Sequence, residues 1–127
     1  MNQIKLFTVE EANAILPEVT PLMATLLEKR AKVMVQRQEI GGLLDDLHVD
    51  VGGPALNELV RDFEAIDRSI HMIQEYGCMV KDLNVGLLDF PAEIDGQQVL
   101  LCWRYGEEEV AHYHGMHEGF NGRSPLN

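Results

Sequence analysis

Residues 87–105 read LLDFPAEIDGQQVLLCWRY. Asp95-Gly96 stands between two runs in which apolar residues alternate. A two-residue type I′ turn needs positive φ at both central positions, which Gly accepts freely and Asp tolerates. Strands are therefore predicted over Val85–Glu93 and Gln97–Tyr105. With two residues in the turn, Ile94 pairs with Gln97 and the register follows, because directly opposed residues share a face. One face carries Leu88, Phe90, Ala92, Ile94, Val99, Leu101 and Trp103, and should pack on the rest of the protein. The other carries Leu87, Asp89, Pro91, Glu93, Gln98, Leu100, Cys102 and Arg104. It sets Asp89 opposite Cys102 and diagonal to Arg104, within reach of a carboxylate–guanidinium pair. Such a pair either ties the sheet together or floors a pocket.

Upstream the apolar period is helical. Thr8-Val9-Glu10-Glu11 reads as a capping box, followed by Val9, Ala12, Ile15 and Leu16 at helical spacing. Pro17 should end this short helix near Leu16 and open the next one as its first residue. That second helix carries Val19, Leu22, Met23, Leu26, Leu27, Val33, Met34, Ile40, Leu44 and Leu47, with Arg30 and Arg37 on the same seam. Gly41-Gly42 is a candidate break, and His48 to Gly53 is turn-forming. A further helix is predicted from about Pro54 to Tyr76, its seam made by Leu56, Leu59, Phe63, Ile66, Ile70 and Ile73 in a heptad-like, coiled-coil pattern. Gly77 suits its left-handed cap. Two long helices joined by a short loop run antiparallel.

Downstream, Cys78–Leu83 and Glu109–His114 are candidate strands, and the tail from Gly115 reads as irregular. The fold class is α+β: a long antiparallel helical hairpin, preceded by a short helix and followed by a small antiparallel β-meander. One domain spans 1–127, with the helical part over 1–77 and the meander and C-terminal loop over 78–127.

His112, His114, His117 and Glu118 make an H-x-H-x-x-H-E array of candidate metal ligands. On a strand, residues two apart point the same way, and imidazole with carboxylate suits zinc, manganese or iron. A three-residue loop at Gly106-Glu107-Glu108 puts His112 opposite Cys102 and on the Asp89 face. A two-residue loop turns the histidines toward the helices instead. Both remain open at this point. Glu107 to Glu109 is an acidic run of the kind that usually solvates a turn. Arg123, between Gly122 and Ser124, is a candidate anion clamp or a tether to a carboxylate such as Glu118. Cys102 is either a nucleophile beside a histidine or plain packing.

Bulk properties narrow the function classes. The 127 residues carry 21 acidic and 10 basic side chains, a formal net charge of −11. That field repels polyanions, so nucleic acid and acidic membrane surfaces are not expected partners. MNQIKLFTVEE lacks the basic and apolar regions of a secretory signal. Two cysteines, Cys78 and Cys102, make no disulfide framework and suit a reducing compartment. The expected location is the cytoplasm.

Three stretches carry a wider likeness: LFTVEEANAILPEVTPLM, VKDLNVGLLDFPAEIDG and LLCWRYGEEEVAHYHGMHEGFNGRSPL. Together they resemble an uncharacterised bacterial family, domain of unknown function 2203, over nearly the full length. The motif residues are Gly86, Asp89-Phe90, Leu101-Cys102-Trp103-Arg104, Gly106-Glu107, His114, Gly119-Phe120 and Gly122-Arg123. Tyr113 stands where the family pattern often has Trp. The resemblance implies no activity. It implies that site residues gather in the meander and tail, with weight on Asp89, Arg104, Glu107, His114 and Arg123 rather than on His112 and His117.

Three functions compete on these residues. The first is an intracellular interaction or assembly module, in which the helical hairpin recruits a protein partner or a second copy as a homodimer. In the second, a small anionic molecule is bound or transformed on the polar face. Asp89 would orient Arg104, His114 would transfer a proton, and Glu107 and Arg123 would line the site. The third is binding of a divalent transition metal, zinc or manganese, through the C-terminal histidines.

Overall fold

A computed structural model describes residues 5–45 and 53–126. Thr8 and Glu11 cap the first helix reciprocally. The Thr8 backbone N–H donates to the Glu11 carboxylate at 3.0 Å, and the Glu11 N–H donates to the Thr8 hydroxyl at 3.1 Å. These bonds hold the Glu11 carboxyl below its ordinary pKa. The helix they open, α1, runs unbroken over Val9–Asp45. The separate short helix predicted to end at Leu16 is thus the first part of α1, and Gly41-Gly42 does not interrupt it. Pro17 and Pro21 lie inside the helix but on its solvent face. Each removes one N–H, and water can serve the carbonyl freed four residues earlier. Leu47 and most of the expected turn, residues 48–52, lie outside the described residues.

The second helix, α2, spans Pro54–Glu75, with Pro54 in its first turn and Tyr76 as C-cap. Gly77 follows with φ 100°, its N–H donating to the Gln74 carbonyl at 2.9 Å, as the left-handed cap requires. The helices pack antiparallel. Buried Asp62 on α2 meets Lys29 at 3.6 Å and Lys32 at 3.3 Å on α1. Burial opposes ionisation of Asp62, yet Gln36, Lys32 and Lys29 outweigh it and hold the carboxyl below its usual value.

Five antiparallel strands follow in the order β1-β2-β3-β4-β5: Met79–Asp82, Leu87–Ile94, Gln97–Arg104, His112–Gly115 and Ser124–Pro125. The β2–β3 ladder runs from Ile94 opposite Gln97 to Leu87 opposite Arg104, as the two-residue turn dictates. Asp95 has φ 52° and Gly96 φ 80°. The apolar face, with Leu88, Phe90, Leu101 and Trp103, joins Ala12, Leu16, Val19, Met23, Leu26 and Ile73 in one core. Phe7 stacks edge-on against Phe90 at 5.3 Å.

Two details depart from the prediction. β4 begins at His112 rather than Glu109, because the preceding backbone is held by α1: Asn13 Oδ1 accepts the Val110 N–H at 2.7 Å. The tail is also not irregular throughout. A 3₁₀ turn at Phe120–Gly122 leads into β5, which pairs with His112 and Tyr113 of β4.

β1 pairs with β2 only as far as Asp89. Beyond it the outer edge of β2 holds Pro91, whose carbonyl accepts the Phe7 N–H at 2.6 Å. Backbone N and O of one strand residue point the same way, so the missing Pro91 N–H faces the edge and costs no bond to β3.

The α2 seam is only partly buried. Ile73 is in the core, and Leu59, Ile66 and Ile70 are half-buried. Leu56, Val60 and Phe63 are 42%, 47% and 49% exposed. At intervals of four and three they form one stripe along α2. Its apolar arc is wider than a single neighbouring helix can cover.

Candidate functional site

The polar face of the sheet is assembled by strand parity. Cys102 opposes both Asp89 on β2 and His112 on β4, and Leu100 opposes His114. The register is therefore the one a three-residue loop would give, although the connection from Arg104 to His112 is longer, and both histidines share a face with Asp89. Although this face turns away from the helices, Asp89, Cys102 and His114 are only 1%, 1% and 2% exposed. The tail returns over it. Arg123 reaches Glu107 across the face, lies beside the Cys102 sulfur, and stacks its guanidinium 4.2 Å from the Phe120 ring centre.

Two pairs organise the cluster. In the first, His114 Nε2 lies 3.0 Å from Asp89 Oδ1, while His114 Nδ1 lies 2.9 Å from the Gly115 carbonyl oxygen. A carbonyl oxygen only accepts, so Nδ1 carries a proton and donates it there. With Nδ1 so engaged, Nε2 and Oδ1 face each other across 3.0 Å and need a positive centre between them. Asp89 Oδ2 is buried with no hydrogen-bond partner.

In the second pair, Arg123 donates to both oxygens of Glu107 at 3.0 Å each, and the Arg104 backbone N–H adds a third bond at 2.7 Å. Burial works against the Glu107 charge. The Arg123 and Arg104 hydrogen bonds outweigh it and hold the carboxyl below its usual range. Arg123 is held protonated more firmly in turn, chiefly by Glu107. This fork-to-fork geometry is the strong form of an ion pair. His112 Nδ1 lies 3.7 Å from Glu107 Oε2.

The remaining expected site residues lie elsewhere. Arg104 is exposed, with its guanidinium 6.0 Å from the Phe120 ring centre; Asp89 pairs with His114 instead. Arg123 is tethered to Glu107 rather than to Glu118, whose carboxylate accepts the Gly115 N–H at 2.8 Å. His117 and Glu118 sit in the exposed loop after β4. Of the acidic run, Glu107 turns inward while Glu108 and Glu109 stay exposed. Among the described residues, Asp89, Cys102 and His114 are the group of three whose ligand-type atoms all lie within 4.8 Å of one another.

Burial, then the Asp89 charge, raises the Cys102 thiol pKa, with Arg123 opposing. Burial pushes the Cys78 thiol up to about 11. Both cysteines are free and buried, and a protonated thiol is a poor nucleophile. Hairpin parity points to Asp89 beside Cys102, while His114 joins them in only one of the two loop geometries left open by the sequence. Phe120 as a platform for Arg123, and Asn13 as the clamp on Val110, had no signal short of the three-dimensional fold.

Among the described residues, surface cavities lie beside Gly77 and Leu100, along Val60 and Phe63, and between α1 and Glu107–Glu109. Among the described residues, no helix is long and apolar enough to cross a membrane. No curated protein and no solved structure matches the chain. A family model described as "Uncharacterized conserved protein (DUF2203)" matches residues 5–126, and so takes in both helices, the whole sheet and the Asp89–His114 and Glu107–Arg123 pairs. By that match the chain belongs to the DUF2203 family.

Proposed function

We propose that this protein is a cytoplasmic assembly module whose helical hairpin binds a second copy of the same chain. The observation that carries this reading is the Leu56, Val60 and Phe63 stripe, open to water on a helix that already has one packing partner. Contiguous exposed apolar residues of this kind mark interaction surfaces. The groove along Val60 and Phe63 also holds Glu64, Asp67 and Arg68. Both signs of charge on one patch make it self-complementary: about a two-fold axis, each Arg68 meets Glu64 or Asp67 of the other copy. Met34 and Val35 are also exposed, and lie on α1 near the level of Leu56 set by the Lys32–Glu58 contact. Two buried free thiols suit a reducing compartment. An anionic ligand on the sheet draws less support, because Arg123 is already taken up by Glu107.

Light scattering coupled to size exclusion tests the proposal. The wild type should show twice the mass of one chain, and Phe63→Asp should return it to a single chain with its helix content intact. A single-chain mass for the wild type at every concentration sinks the proposal.

A further inference from the structure

We infer that Asp89, Cys102 and His114 form a buried site for one divalent transition-metal ion, zinc before others. The inference is independent of the hairpin proposal. It also differs from the array His112, His114, His117 and Glu118 that the sequence offers, since two of those residues lie out in the loop.

Four observations carry it. The carboxylate, thiol and imidazole ligand atoms lie within 4.8 Å of one another. Around a tetrahedral zinc such atoms stand about 3.3–3.8 Å apart, so side-chain shifts of ~1 Å close the site. Second, His114 is already posed as a ligand: Nδ1 donates to the Gly115 carbonyl at 2.9 Å, which leaves the Nε2 lone pair for a cation. That outer hydrogen bond is the one metal-bound histidines usually make. Third, Asp89 Oδ2 is buried and unpartnered, a costly arrangement unless something electropositive sits beside it. Fourth, the three ligands come from three adjacent strands, β2, β3 and β4, so the sheet itself fixes their spacing.

Charge agrees with geometry. A carboxylate, a thiolate and a neutral imidazole together offset the two positive charges of a divalent ion, so the bound cluster is neutral in sum. Arg123 lies beside the sulfur, but Glu107 cancels its charge. The sulfur, nitrogen and oxygen donor set favours zinc over magnesium or calcium.

Cobalt(II) added to the reduced, tag-free full chain tests the site, because a bound thiolate gives a charge-transfer band in the near ultraviolet. One equivalent should bind, give that band, and be displaced by zinc. Cys78→Ser should keep the band, which leaves Cys102 as its sole source. Asp89→Asn should weaken binding by more than about a hundredfold. His117→Ala should change nothing. Absence of stoichiometric binding by the wild type overturns the inference. So does loss of the band in Cys78→Ser, or loss of binding in His117→Ala. Cys102→Ser should abolish the band, and a band retained there also overturns the inference; should that variant fail to fold, the Cys78→Ser spectrum still decides.

Discussion

The α2 helix leaves apolar side chains in water, whereas the outer face of the sheet takes polar side chains out of it. Leu56, Val60 and Phe63 stand open along one stripe. Asp89, Cys102 and His114 are covered by a tail that returns through Phe120 and Arg123. The difference comes from what each surface finds to pack against. α2 has one helix beside it and an apolar arc too wide for that helix. The sheet has the helices on one side and its own continuation on the other. An open apolar stripe contributes little to the stability of a single chain and much to association. A covered polar cluster does the reverse, because each of its groups needs its partner in place.

Phe90→Ala draws this contrast most sharply. Phe90 is fully buried, and its truncation should cost about 3–5 kcal/mol in urea unfolding. Asn13→Ala should come next, at about 1–3 kcal/mol, since it strips the acceptor from the buried Val110 N–H. Faster amide exchange at Val110 is its specific signature. Glu107→Gln, which breaks the fork with Arg123, should cost about 1–2 kcal/mol. It also carries a pH prediction. Glu107 ionises below its ordinary 4.5 in the folded state and Asp62 below 3.8. A depressed folded pKa adds stability above the unfolded value and loses it as pH falls through the folded one. The urea midpoint should therefore drop below about pH 4.5, and drop less in Glu107→Gln. Smallest of all is Phe63→Ala, measured where the chain is single, which should change stability by no more than about 0.5 kcal/mol. A loss comparable to that of Phe90→Ala would erase the contrast.

Much of the sheet could be read in advance because a two-residue turn leaves no freedom. Once Asp95-Gly96 is a type I′ turn, every pair from Ile94–Gln97 to Leu87–Arg104 follows. The histidines were legible only as a choice, because loop length beyond Arg104 sets their parity and the sequence does not state it. The partner of Asp89 was misread for a related reason. Arg104 is near along the ladder, but it lies at the strand end, while His114 reaches across from β4. Pro17 suggested a break because its exposure could not be known; on a solvent face the lost hydrogen bond is cheap to replace. Phe63 was placed with the buried seam because periodicity marks an apolar face without saying how many neighbours cover it.

The bond from Phe7 to the Pro91 carbonyl has a consequence for solubility. Strand β2 outlasts its neighbour β1, and bare strand edges recruit strands from other molecules into fibrillar stacks. Here the one outward carbonyl next to the end of β1 is occupied, and the residue bearing it has no N–H to offer a stranger. The short stretch that carries Phe7 ahead of the first helix thus acts as a stopper. A chain trimmed past Phe7 would bare a sticky border as well as lose that ring from its interior.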